Sequence, residues 1–113
     1  QDPEALYHRR WALGMLDRAA ARLADRYRSS DRAELYEALK DGVLGGEPAE
    51  SYAELSRRLG RSEGSLRTAA SRMRSRWRLE LRRLVAETVD AASADPEAEV
   101  ESELSALIDA VSR

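Results

Sequence analysis

Between Ser51 and Trp77 the chain sets Arg57, Arg58, Arg61, Arg67, Arg72, Arg74 and Arg76 around Thr68 and Ser71. A guanidinium is a planar fork of donors that matches phosphate oxygens and the O6/N7 edge of guanine, and Ser or Thr hydroxyls can meet any base edge. Such a set can recognise a polyanion; it cannot by itself break bonds. Residues 57–83 hold ten arginines against Glu63 and Glu80, a local balance of +8. Residues 1–56 hold eight basic and eleven acidic groups, −3, and residues 84–113 hold Arg113 against eight acids, −7. The net charge of −2 therefore conceals a basic block dense enough for a phosphate-binding surface, followed by an acidic one. Lys40 is the only lysine beside eighteen arginines, a usage given no functional weight.

Other chemistries fare worse. With no cysteine, neither a disulfide nor a thiolate metal site can form, and His8 alone cannot supply an imidazole cluster or serve more than one Ser/His/Asp set. "GVLGG" lacks the lysine of a phosphate-cradling P-loop, and the carboxylates gather in a polar tail. The reading expects no enzyme, no cofactor and no metal. No apolar run approaches the roughly 20 residues of a membrane span, and "QDPEALYHRRWAL" lacks the order of a secretory signal. A soluble, intracellular protein, placed in the cytoplasm, is expected, with no membrane partner.

Helices must position the arginines, since no stretch alternates apolar and polar residues long enough for a strand. The fold class expected is all-α, a small helical bundle containing a helix-turn-helix with a long recognition helix. A modest core of Leu, Ala, Val, Met, Trp and Tyr suits 113 residues, and the chain contains no Phe. Residues 4–29 place Leu6, Leu13, Leu16, Ala20, Leu23 and Tyr27 on one stripe. "DRAE", Asp31 to Glu34, carries N-cap chemistry for a shorter helix through Leu35, Tyr36 and Leu39, broken by Gly42, Gly45, Gly46 and Pro48. Ser51 with Glu54 forms a capping box for a helix through Tyr52, Leu55 and Leu59, ending at Gly60. Ser62 can cap the last long helix, with Leu66, Ala70, Met73, Trp77, Leu81 and Leu84 on one stripe to about Val89. Its second half must pack elsewhere than its first, on the stripe of the first helix. After Pro96, Val100, Leu104, Leu107, Ile108 and Val111 predict a short amphipathic helix. The expected organisation is a helical domain over 1–94, with the helix-turn-helix at 51–78, and an acidic extension over 95–113. Trp11 and Trp77 fit packing positions better than base-stacking platforms, and His8 reads as a surface residue.

In a helix-turn-helix the two helices cross closely, which asks for a small inner residue, Ser56, and a turn residue tolerant of positive φ, Gly60. Leu55, Leu59, Leu66 and Ala69 or Ala70 then share a core, and Glu63, Gly64, Arg67, Thr68, Ser71, Arg72 and Arg74 face outward. A recognition helix reads base edges with its N-terminal residues. That places readers at Arg67, Thr68, Ser71 and Arg72, with Arg57, Arg58 and Arg61 on phosphates. Further along, Arg74, Arg76, Arg78, Arg82 and Arg83 are expected to be solvated, paired with acids, or at most in touch with phosphate; Arg74 is the one included in the DNA-binding set.

The stretches "YAELSRRLGRSEGSLR" (52–67), "SRMRSRWRLELRRLVAETV" (71–89) and "RRWALGMLDRAAARLADRY" (9–27) resemble region 4 of bacterial RNA polymerase sigma factors of the extracytoplasmic-function type, and "ADPEAEVESELSAL" resembles an extension of one subgroup. The resemblance spans nearly the whole chain and is most specific from Ser51 to Arg74. It implies binding to double-stranded promoter DNA at the −35 element in the major groove and docking on the β flap of RNA polymerase core. By position it puts base and phosphate contacts on Arg67, Thr68, Ser71 and Arg72. The chain departs from the family at Ala69, where many members carry a basic residue, and at Arg61, a turn position often apolar. Nothing in the sequence is similar to region 2, which melts the −10 element, as in an excised C-terminal domain or a stand-alone relative. Two further expectations stand beside this one. A protein-interaction module would recruit the polymerase subunit or an anti-sigma partner with DNA contact secondary. The acidic tail either folds back on the basic helix through Leu104, Leu107 and Ile108 or stays solvated.

Overall fold

The structure is a computed structural model; it describes residues 2–89 and 94–111, and side chains as far as Leu107. The regular structure of these residues is entirely helical: α1 (Pro3–Ser29), α2 (Ala33–Val43), α3 (Tyr52–Leu59), α4 (Glu63–Thr88) and α5 (Pro96–Val111). The all-α expectation holds. Among the described residues no helix is long and apolar enough to cross a membrane.

Two compact units divide the chain, residues 22–77 and residues 1–21 with 78–113, so that α1 and α4 each contribute to both. The 22–77 unit is built on Leu23, Ala24 and Tyr27 of α1, Tyr36, Leu39 and Val43 of α2, Leu55 of α3, and Leu66, Ala70 and Met73 of α4, all buried in one cluster. In α4 the buried positions follow the expected spacing, and Trp77 packs half-buried against the same cluster.

The junction of α1 and α2 corrects one expectation. Asp31 does not cap α2: the N-cap is Arg32, without a side-chain cap, and Asp31 adopts a left-handed φ of 60°. There it closes α1, because the Arg32 N–H then donates to the Tyr27 carbonyl at 2.7 Å and its own N–H to the Arg28 carbonyl at 3.2 Å. This is the two-bond pattern that satisfies the last carbonyls of a helix, and Asp is among the few residues that tolerate the required backbone. Arg32 adds its guanidinium over the Tyr27 ring, 4.5 Å from the centroid.

In the unit formed by 1–21 and 78–113, the buried apolar residues are Ala12, Met15 and Ala19 of α1, Leu81, Leu84 and Val85 of α4, and Val100 and Leu107 of α5. The N-terminal half of the expected α1 stripe is therefore rotated. Leu6 and Leu13 are 41% and 44% exposed, while the inward positions are small or unbranched side chains that admit a close helix neighbour. From Leu23 onward the expected stripe is the buried one. The expected C-terminal helix is α5, its start capped by Asp95, whose Oδ1 accepts the Ala98 N–H at 3.2 Å. Leu104 is half-buried; the side chains of Ile108 and Val111 lie outside the described residues.

Candidate nucleic-acid interface

Local chemistry fixes α3 at both ends. Ser51 Oγ accepts the Glu54 N–H at 3.1 Å, and Glu54 Oε1 accepts the Ser51 hydroxyl at 3.1 Å and the Ser51 N–H at 3.4 Å. A cap of this kind contributes about 1 kcal/mol. At the other end Gly60 takes φ 69°, its N–H donating to the Ser56 carbonyl at 3.0 Å. A left-handed residue here turns the chain after two helical turns, and any Cβ would strain it.

Ser56 does more than leave room for a crossing. Its hydroxyl donates to the Arg61 carbonyl at 2.5 Å and ties the turn to α3. Ser62 then starts α4, its Oγ accepting the Ser65 N–H at 3.0 Å. Two helices joined by the three residues 60–62 result, sealed by buried Leu55, Leu66 and Ala70 with Leu59 and Ala69 half-buried beside them.

With Leu66, Ala70 and Met73 inward, the outward face of α4 is set. Gly64, Arg67, Thr68, Ser71 and Arg72 are exposed, and Arg74 is half-buried. At about 100° per residue, Gly64, Thr68, Ser71 and Ser75 form a low ridge opposite the core, with Arg67 and Arg74 on one flank and Arg72 and Arg76 on the other. The expected reader residues therefore share one face.

The arginines fall into two states. Arg57, Arg61, Arg72, Arg74 and Arg76 carry no side-chain hydrogen bond, ion pair or ring contact among the described residues. Arg58 is held instead by a two-pronged pair with Glu50, Nη2 to Oε1 at 2.7 Å and Nε to Oε2 at 3.0 Å. That hydrogen bonding pulls the Glu50 carboxyl below its ordinary range and pushes Arg58 up. Arg67 lies over the Tyr52 ring, 4.9 Å from its centroid, with Nη2 3.5 Å from Glu63 Oε1. In the other unit Arg83 is 3.5 Å from Glu80, and Arg82 pairs with Glu101 of α5, the one ion pair between the acidic extension and the basic segment among the described residues. Glu50 and Tyr52 were not among the expected site residues; each belongs to a pair that no helical spacing announces.

Among the described residues no group of three or more His, Cys, Asp or Glu could hold a metal ion. Comparison with protein-family models, with curated protein sequences and with solved structures yields no match.

Proposed function

We propose that the α3–α4 pair is a helix-turn-helix that binds duplex DNA, with the N-terminal half of α4 in the major groove. The observation that carries this reading is the group of five arginines, Arg57, Arg61, Arg72, Arg74 and Arg76, that have no hydrogen-bond, ion-pair or ring partner among the described residues and lie along a two-helix scaffold capped at both helix starts. Cations kept free of carboxylates in a chain with more acids than bases are available to phosphates, whose neutralisation releases counterions. The low ridge lets α4 approach the groove floor, where Arg67 or Arg72 makes a bidentate contact to guanine and Thr68 and Ser71 meet neighbouring edges. Arg57 and Arg61 hold phosphates and Arg74 the groove margin, while Arg58 joins them only once Glu50 no longer holds it.

Together with the resemblance to sigma region 4, the proposal extends to the promoter −35 element, to a polymerase holoenzyme docked through the β flap, and to a cytoplasmic setting. Arg67→Ala is expected to cost about 1 to 3 kcal/mol on the selected sequence and little on random duplex. Fluorescence anisotropy on a duplex enriched from a random pool measures this, and an equal loss on both DNAs refutes the reader role. The exposed Leu6, Tyr7 and Leu13 of α1 favour a second reading, an interaction module for the flap or an anti-sigma factor. Flap capture by a chain carrying Arg67→Glu and Arg72→Glu, in the absence of any DNA affinity of the unaltered chain, would select it.

A further inference from the structure

Arg67 and Arg72 are equally able to fork onto guanine by residue type, yet their surroundings differ. Arg72 is exposed and, among the described residues, makes no side-chain hydrogen bond, ion pair or ring contact. Arg67, with 60% of its side chain exposed, has its guanidinium over the face of Tyr52, within the roughly 6 Å at which a ring attracts a cation. Tyr52 sits on the other helix of the pair, just behind the Ser51–Glu54 capping box, and packs half-buried against the core. Its ring is therefore anchored on the core, and its backbone by the cap. Glu63, one turn before Arg67 on α4, takes a single guanidinium nitrogen at a long 3.5 Å. The remaining donors stay available.

We infer that Tyr52 is a positioning residue for base readout: its ring holds Arg67 in place across the two helices, making Arg67 rather than Arg72 the guanine reader although Tyr52 touches no base. This rests on the reading of α3–α4 as a DNA-binding helix-turn-helix. A long side chain restrained before binding loses less freedom on forming its contact, and the gain applies only where the contact forms. Selectivity, not general affinity, is what Tyr52 controls. Among the described residues the Tyr52 hydroxyl makes no hydrogen bond, so the ring alone carries the effect.

The test compares binding of the full chain to a duplex enriched from a random pool with binding to the unselected pool. Tyr52→Leu is expected to lower the ratio of the two affinities about two- to fivefold while leaving the salt slope unchanged. Tyr52→Phe should keep the wild-type ratio, and Tyr52→Leu should add nothing in an Arg67→Ala background. If Arg67→Ala lowers the ratio and Tyr52→Leu does not, the inference fails and the DNA reading stands. Should neither variant change it, the inference fails together with the reader role of Arg67, and the DNA reading fails as well if Arg72→Ala also leaves the ratio unchanged. A failure of Tyr52→Phe to restore selectivity, or an undiminished effect of Tyr52→Leu without Arg67, assigns the ring a merely structural role and also overturns the inference. Thermal unfolding shows whether the leucine variant is folded under assay conditions. Independently of that variant, NMR order parameters of the guanidinium Nε–H groups in the free chain should be higher for Arg67 than for Arg72, and equal values refute the brace.

Discussion

Replacing Arg57, Arg61 and Arg72 together by glutamine is expected to remove most of the affinity for duplex DNA and to leave the fold intact. All three are exposed and make no side-chain hydrogen bond, ion pair or ring contact among the described residues, so folding has little to lose at these positions. Binding has much to lose. Each phosphate neutralised contributes about −0.9 to the slope of log affinity against log salt, so the triple variant should be shallower by about 2.7. Near 0.1 M salt this is a loss on the order of a few hundredfold. Anisotropy titrations at several salt concentrations measure it, with thermal unfolding as the control. An unchanged slope would remove the arginine face from the DNA interface.

Glu50→Gln should move the same quantity the other way. Freed from its two-pronged partner, Arg58 becomes available to a phosphate, and the slope should steepen by about 0.9. The wild-type pair is insensitive to pH near neutrality. Because Arg58 depresses the Glu50 carboxyl, whatever stability the pair contributes is present above the ordinary carboxylate range and is lost only as pH falls through the depressed value. Acidification therefore acts like the substitution only in distinctly acid solution.

What could be read ahead of the structure was chemistry confined to a few adjacent residues. Ser51 with Glu54, Gly60 and Ser62 announce the α3–turn–α4 boundaries because caps and left-handed turns use groups within one helical turn. The period of Leu66, Ala70 and Met73 announces the inner face of α4 in the same way, and with it the outer face that carries Arg67, Thr68, Ser71 and Arg72. Asp31 is ambiguous in sequence because one side chain suits two roles: it caps a helix start as readily as it tolerates the left-handed backbone of a helix end. The carbonyls of Tyr27 and Arg28, which need donors, decide for the second. In α1 two stripes compete, Leu6 and Leu13 against Ala12, Met15 and Ala19, and periodicity alone cannot say which meets a neighbour. Tyr52–Arg67 and Glu50–Arg58 join different elements, so no spacing along the chain reveals them.

Leu66→Ala is the substitution expected to damage the fold most, by about 2 to 5 kcal/mol. Leu66 is fully buried in the first turn of α4, in the cluster that also contains Leu55 of α3, Tyr36 and Leu39 of α2, and Leu23 of α1. Truncation leaves a cavity at the point where four helices of one unit meet, and its neighbours are held by the Gly60 turn and the Ser51 cap, which limits collapse. Met73, buried to the same degree, should cost less when exchanged for leucine, since unbranched and branched side chains of similar volume substitute with modest strain. Against a total stability of about 5 to 15 kcal/mol, the loss at Leu66 is a large fraction. Urea unfolding followed by far-UV circular dichroism should show the midpoint fall with the slope unchanged; a cost under about 1 kcal/mol would mean that α4 is not fixed by this contact. The charge of the arginine face is untouched by Leu66→Ala. The folded fraction should therefore keep the wild-type salt slope, where the triple arginine variant keeps stability and loses slope. If Leu66→Ala changed the slope of the folded protein, the arginines would depend on core geometry for phosphate contact, and scaffold and charge would not be separable.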